Sequence, residues 1–597
     1  MSELPLAADF PAPTRDEWRA LVSAVLAKSG REGDPEEALT TTTYDGIGIK
    51  PLYTADDAHG VERDGVPGRA PFVRGATAEG ATATGWDVRT RHADPDPART
   101  NRAALAELET GATSLWLRLG EGGIAVDDLP AVLEGVYLDL APIALDAGAD
   151  TAAALALLTL CEQRGVEPAE LRGTLGADPI GFRARTGADA DLGLLPTLSA
   201  QSEGLGGMHL ATVDGTIYHD AGGSDAQELG VATAVGVAYL RALTDAGLSI
   251  DDALARIEFR WAVGAEQFPS IAKLRAARQI WDRVARESGA RDGRRGQYQH
   301  AVTSAAMLTQ RDPWVNMLRT TIACFSAAVG GAEAITVLPF DSALGRSDDF
   351  ARRVARNTQS ILHDESSLAR VIDAAGGSWF VESLTDQLAS HAWDVFTRIE
   401  QVGGALAALN SGAVGELLAQ THAKRSADIA HRRAPITGVS EFAYVGEAPV
   451  TRDPLPAGRT GLLPRIRYAA DFEAFRDRAD TAAQRPRVFL ATLGPFAAHS
   501  ARVAFAANLF AAGGIECVTG TVDEFESTAT SAACLCSSDK LYADEATDAV
   551  AALRSAGAQQ IWLAGKADVN GVDGKLFAGC DAIDVLRRTF DALEVPA

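Results

Sequence analysis

The chain has 597 residues, of which 47% are hydrophobic and 23% charged, and its net charge is −25. That length exceeds what one hydrophobic core supports, so two or more domains are expected. The acidic balance disfavours nucleic acid and anionic membranes as partners, and no apolar run approaches the roughly 20 residues a membrane span needs.

The opening "MSELPLAADFPAPTRDEW" has neither the basic nor the apolar region of a secretory signal, and six cysteines in so long a chain do not make a disulfide framework. A cytoplasmic protein is expected. An amphipathic helix is predicted in "TRDEWRALVSAVLAKSG", capped by Thr14, with Trp18, Leu21, Val22 and Val25 on one face. It either packs on its own domain or docks on a partner chain. Residues 1–40 are read as this helical arm.

From about 110 to 400, strand-like and helical runs alternate. The strand-like runs are "SLWLRLG", "GVYLDLAP", "GTLGADPIG", "GMHLATVDG", "IEFRWAVGAE", "YQHAVTSA" and "EAITVLPF". Helical runs such as "IAKLRAARQIWDRVARES" separate them. Regular alternation of this kind implies a parallel sheet with helices outside it, and seven or eight units suit a (β/α)8 barrel of the TIM type over residues 41–405. An open doubly wound sheet is the alternative. Residues 406–484 read as a helical and Pro/Gly-rich linker, carrying "GEAPVTRDPLPAGRTGLLP". Alternation restarts at Arg485 with "RVFLATLG", "GIECVTG", "SAACLCSS" and "QQIWLAG", so residues 485–597 are predicted to form a flavodoxin-like, doubly wound domain.

The chemistry-bearing residues are sparse. "LGEGGIA" follows a strand and is trailed by Asp139, a weak match to a dinucleotide-binding turn that a Gly-rich barrel turn explains as well. Cys534 and Cys536 alternate along an apolar strand and lack further ligands for a zinc site. His219 lies past a strand end, where barrel enzymes place catalysis. His499 sits where a strand–loop–helix crossover is predicted, in "GPFAAHSAR"; a metal-binding histidine usually has a carboxylate on its other nitrogen, and none is near in sequence.

Several runs resemble the adenosylcobalamin-dependent methylmalonyl-CoA mutases. "GIGIKPLYT" is similar to the family's opening segment, "IAKLRAARQIW" to its barrel signature, and "ARNTQSILHDES" with "RVIDAAGGSWFVESLT" to its late barrel. The order of arm, barrel, linker and cobalamin domain also agrees, so the likeness spans nearly the whole chain. The resemblance implies a cobalamin domain whose active form carries Asp-x-His-x-x-Gly. There the His binds cobalt, the Asp holds the His, and the Gly makes room for the displaced nucleotide tail. The matching residues here are Ala497, His499 and Arg502, and a Gly-Gly pair of the tail pocket reads Gly565-Lys566. Cofactor binding is therefore not expected on this chain; His499 is a leftover, with Ala497 and Arg502 disrupting the motif.

The barrel departs in the same direction. The family's Arg-Gln-Tyr, whose Tyr lies over the substrate, corresponds to Arg74, Gly75 and Ala76. The family's His that bonds the substrate thioester corresponds to Ile217, and His219 then falls at a Gln position. Isoleucine donates no hydrogen bond and alanine makes no wedge, and even one such loss costs a few kcal/mol of transition-state stabilisation. No catalytic residue and no metal site are expected. Some bacterial members pair a large cobalamin-binding subunit with a shorter chain that binds neither cofactor nor substrate, and this chain resembles the shorter one. Adenosylcobalamin would then sit on the large, catalytic subunit of a heterodimer. The alternatives are an active mutase with compensating residues and a transient stabiliser of the large subunit.

Overall fold

The computed structural model describes residues 13–58, 65–202, 204–456 and 460–595. Eight parallel strands close into a barrel: β1 (Asp87–His92), β2 (Ser114–Arg118), β3 (Ile143–Asp146), β4 (Arg172–Ala177), β5 (Gly207–Asp214), β6 (Ile257–Val263), β7 (Tyr298–Thr303) and β8 (Ala334–Thr336). The ring closes through β8, which pairs with β1 (Ile335 opposite Val88) and with β7 (Ile335 opposite Ala301). Helices connect the strands on the outside, among them Pro97–Leu108, Asp225–Asp245, Gln267–Glu287 and Val315–Val329.

Two barrel strands differ from the sequence reading. β1 is "DVRTRH", a run with no apolar alternation because its inward positions are arginines. "GVYLDLAP" is not a strand: Val136 N–H bonds to Leu133 O (3.1 Å), Ala141 N–H to Tyr137 O (3.0 Å), and Tyr137 and Leu140 are over 70% exposed. The strand is the next run, "IALD". Asp139 therefore stands in a turn, and the Gly120 segment is a tight barrel turn closed by Gly123 N–H to Gly120 O at 2.9 Å.

The K-L-R-A-A-R run lies on the Gln267–Glu287 helix and is buried. Burying charges is costly unless they are paired or hydrogen-bonded, and each one here is one or the other. Lys273 Nζ lies 2.8 Å from Glu228 and 2.9 Å from Asp225. Arg275 Nη2 lies 2.8 Å from Glu382. Arg278 donates to Gly330 O at 2.7 Å and to Gln299 Oε1 at 2.7 Å. Trp281 packs edge-on against Phe259, with ring centres 4.6 Å apart. Gly236 on the neighbouring helix admits that pair, since a Cβ there would stand 2.8 Å from the Phe259 ring and 3.0 Å from Trp281.

The Arg15–Lys28 helix has a full capping box at Thr14 and Glu17. Arg15 and Arg19 tie it to Glu36. Only Leu26 is buried, while Leu21 and Val25 are 70% and 63% exposed. At the other end, β9 (Arg487–Thr492), β10 (Glu516–Thr521), β11 (Ala532–Cys536), β12 (Gln560–Ala564) and β13 (Gly574–Leu576) form a parallel sheet in the order β10-β9-β11-β12-β13. That is the flavodoxin-like strand order, with its switch point between β9 and β11. The short β13 escaped the sequence reading. The Ala470–Thr481 helix joins the two parts: Phe472 and Phe475 enter the C-terminal core, and Glu473 Oε1 accepts from Gln310 N–H at 2.6 Å. No helix among the described residues is long and apolar enough to cross a membrane.

Candidate functional site

The barrel lumen is the first place to look, because substrates of barrel enzymes enter there or at its C-terminal mouth. Alternation along the strands turns Arg89, Trp116, Asp214, Glu258, Arg260 and His300 inward, and all are buried. These side chains engage one another. Arg260 Nη1 lies 3.2 Å from Asp214 Oδ2, which also takes Arg185 Nη1 at 2.9 Å. Arg185 Nη2 reaches Asp146 at 3.3 Å. Two guanidinium groups lie over Trp116, Arg260 at 4.2 Å from its ring centre and Arg91 at 4.9 Å. Deeper, Arg89 donates to Ser114 Oγ at 2.9 Å and lies 3.8 Å from Glu258, which accepts from Thr212 Oγ1 at 3.0 Å.

Protonation follows from this packing. Burial pushes Asp146 up, but Arg185, Arg260 and Arg118 more than offset it and hold the carboxyl at about 2. Arg260 Nε donates to His300 Nδ1 at 3.3 Å, so His300 Nε2 carries the proton and faces Thr336 Oγ1 at 2.8 Å. Burial, with Arg89 and Arg260 nearby, holds His300 well below the usual histidine range. The lumen is thus filled by a lattice of buried ionic and aromatic side chains. Sequence reading missed it, since charged residues on β1 and β6 carry no motif; the signal available was arginine at alternate positions of a strand.

The expected catalytic positions lie at opposite ends of the barrel. Ala76 is at the N-terminal end, where a Cβ on Gly296, just ahead of β7, would meet Ala76 O at 2.8 Å. Nearby, Arg74 pairs with Asp373 at 2.9 Å and Glu382 at 3.4 Å. Ile217 lies past the C-terminal end of β5, buried, its Cδ1 against Gly181. His219, on the same short helix, bonds Ser304 Oγ at 2.6 Å, and its Nδ1 lies 3.6 Å from Glu228. The order carboxylate, histidine, hydroxyl is suggestive, but His219, Glu228 and Ser304 are all buried. Burial and the nearby Lys273 push His219 down to about 3.

At the C-terminal crossover the helix begins at Phe496, earlier than the sequence suggested, with Ala498 N–H on Pro495 O at 2.8 Å. His499 therefore lies in the first helical turn and not in the loop. Its Nδ1 is buried and has no hydrogen-bond partner among the described residues. Ala497 is exposed and offers no acceptor. Arg502, on the helix after β9, reaches the end of β11: Nη1 donates to Ser537 O at 2.5 Å, Nη2 reaches Asp539 at 2.7 Å, and the guanidinium lies 5.1 Å from the Tyr542 ring centre. Gly565, at φ 142°, lies so close that a Cβ would meet Arg502 Nη1 at 2.9 Å. The crevice at the switch point is occupied by this arginine. Lys566 lies over the Phe577 ring at 4.9 Å. Cys534 and Cys536 are buried free thiols, and no cluster of three or more metal-ligating side chains occurs among the described residues.

Comparison with known proteins agrees with this architecture. The family model described as methylmalonyl-CoA mutase matches residues 42–121 and 117–511. A methylmalonyl-CoA mutase small subunit from Streptomyces virginiae is 53% identical over 99% of this chain and 98% of its own. The small subunit from Propionibacterium freudenreichii subsp. shermanii is 39% identical over 99% and 97%. The methylmalonyl-CoA mutase of Escherichia coli (strain K12) is 29% identical, over 71% of this chain and 64% of its own.

Proposed function

The chain belongs to the methylmalonyl-CoA mutase family and is similar over nearly its full length to proteins named as small subunits, and from that premise we propose that it is a non-catalytic subunit that stabilises a large, catalytic partner. The complex would interconvert (R)-methylmalonyl-CoA and succinyl-CoA, with adenosylcobalamin and the radical chemistry on the large chain. The observation that carries this reading is the filled lumen: Arg89, Trp116, Asp214, Glu258 and Arg260 occupy the axis of the barrel. Fold persists where a site does not, because the two are specified by different residues.

The residues of this chain do not fit the cofactor. A corrin's nucleotide tail needs the switch-point crevice, and Arg502 fills it. A cobalt-ligating His499 needs an acceptor on its other nitrogen, and Ala497 supplies none. What remains for the chain is an interface. The Arg15–Lys28 helix leaves Leu21 and Val25 exposed, so it suits docking on a second protein.

One observation favours the alternative of an active mutase: the orphaned Nδ1 of His499. Visible absorption separates the two. The purified chain is incubated with adenosylcobalamin and passed over gel filtration. No corrin is expected to travel with it. A His-ligated corrin spectrum that His499→Ala abolishes would overturn the proposal. For the arm, deleting residues 1–30 is expected to weaken co-purification of the large subunit; unchanged recovery across a dilution series removes the arm from the interface.

A further inference from the structure

A second feature of the barrel is independent of that reading. At its C-terminal mouth a cavity of about 1180 Å³ opens between the ends of β1, β2 and β8, the Pro97–Leu108 and Asp349–Ser360 helices, and the linker at Leu455, Pro456 and Arg465. Among the described residues its walls hold ten arginines against four carboxylates. In a chain of net charge −25, that local excess of six positive charges runs against the global field.

The deep arginines, Arg91 and Arg118, have no close carboxylate among the described residues. Arg91 stacks on Trp116, and its Nε is buried without an acceptor. Neither Arg91 nor Arg118 forms a side-chain hydrogen bond or a close ion pair among the described residues, and Arg465, exposed at the rim, reaches Asp220 at 3.6 Å. Asp146 attracts both Arg91 and Arg118 but is held by Arg185. Burial, with Arg118 and Arg465 beside it, pushes Arg91 down to about 9. At the rim, Arg352 is shared between Glu107 and Asp349, whereas Arg353 is exposed and lies over the Phe350 ring at 5.5 Å. Elsewhere in this barrel the buried guanidinium groups of Arg260 and Arg275 have carboxylate partners, and that of Arg278 has carbonyl and amide oxygens. Leaving Arg91 and Arg118 without acceptors is costly, and an anion that supplied oxygen acceptors would relieve that cost.

We propose that this cavity binds a small molecule carrying a di- or triphosphate, with its phosphates on Arg91, Arg118 and Arg465 and the rim arginines closing over it. The guanidinium fork matches phosphate oxygens two at a time. An excess of six positive charges calls for more than one phosphate, since a single phosphate carries about two negative charges at neutral pH.

Isothermal titration of the purified full-length chain with sodium tripolyphosphate tests this. One site per chain is expected. Arg91→Met should weaken binding at least about tenfold, because a charged hydrogen-bonding partner is lost. Arg353→Gln, at an exposed position and safe for folding, should weaken it several-fold and covers the case in which Arg91→Met fails to fold. Arg286→Gln, on an exposed arginine paired with Glu287 outside the cavity, should leave it unchanged. ATP run in parallel identifies the source: tighter binding than tripolyphosphate assigns a nucleotide, equal binding the phosphate chain alone. No saturable binding, or affinity indifferent to both cavity variants, overturns the proposal. Citrate binding as tightly as tripolyphosphate overturns its phosphate character.

Discussion

Replacing Arg502 tests the closed crevice, and its cost follows from the contacts. Alanine removes the donor on the carbonyl of Ser537, a residue with no exposure. A buried acceptor left unpaired costs about 1–2 kcal/mol. The pair with Asp539, whose carboxylate is mostly exposed, adds no more than about 0.5 kcal/mol after screening. The contact with Tyr542 adds about 0.5 kcal/mol. Arg502→Ala should therefore destabilise the C-terminal sheet by about 2–3 kcal/mol. Glycine at this helix-interior position should cost a further ~1 kcal/mol. The chain has several cores, so a single denaturation curve is the wrong instrument. Native-state hydrogen exchange at the buried amides of β9 and β11 reads the C-terminal unit by itself. Protection that changes by less than ~0.5 kcal/mol in Arg502→Ala, below the screened part of the ledger, would refute the assignment of Arg502 as the crevice's plug.

Two further outcomes follow from the barrel. Arg260→Met removes the stacking partner of Trp116 and one of two cations on Asp214; breaking a buried pair costs 3–5 kcal/mol, and Arg185 remains, so about 3 kcal/mol is expected by exchange at β5 and β6 amides. His219 titrates near 3 in the fold against about 6.5 unfolded, so the unfolded chain binds the proton first and the stability it confers above pH ~6.5 is lost as pH falls toward 3. Relative to His219→Gln, the native protein should lose about 1.4 kcal/mol by pH 5.5; a stability difference flat between pH 7.5 and 5.5 would show that His219 is not held neutral.

The periodic parts of the fold were legible. Six of the barrel strands and four of the C-terminal strands coincide with apolar runs, because both sheets are covered by helices and bury such runs. β1 was illegible for the opposite reason: its inward residues are Arg89 and Arg91, so a buried strand reads as a polar loop. "GVYLDLAP" erred the other way, since exposed Tyr137 and Leu140 imitate a strand. At the crossover, the residue types at 497, 499 and 502 were readable, and the direction in which Arg502 reaches was not. It depends on Ser537 and Asp539, thirty-five and thirty-seven positions away. The cavity of arginines gave no sequence signal, because it gathers residues from the ends of three strands, two helices and the linker.

The ionic lattice in the lumen has a consequence for how the chain can change. Clearing a passage would require removing Arg89, Arg260, Asp214 and Glu258, and each is the partner of another. Taken singly, every such step strands an opposite charge in a buried site and costs several kcal/mol, while the same steps taken in pairs cost far less. The substitutions are therefore epistatic. A barrel filled this way faces a valley in stability on any one-residue path to an open one, so its closure behaves as a ratchet.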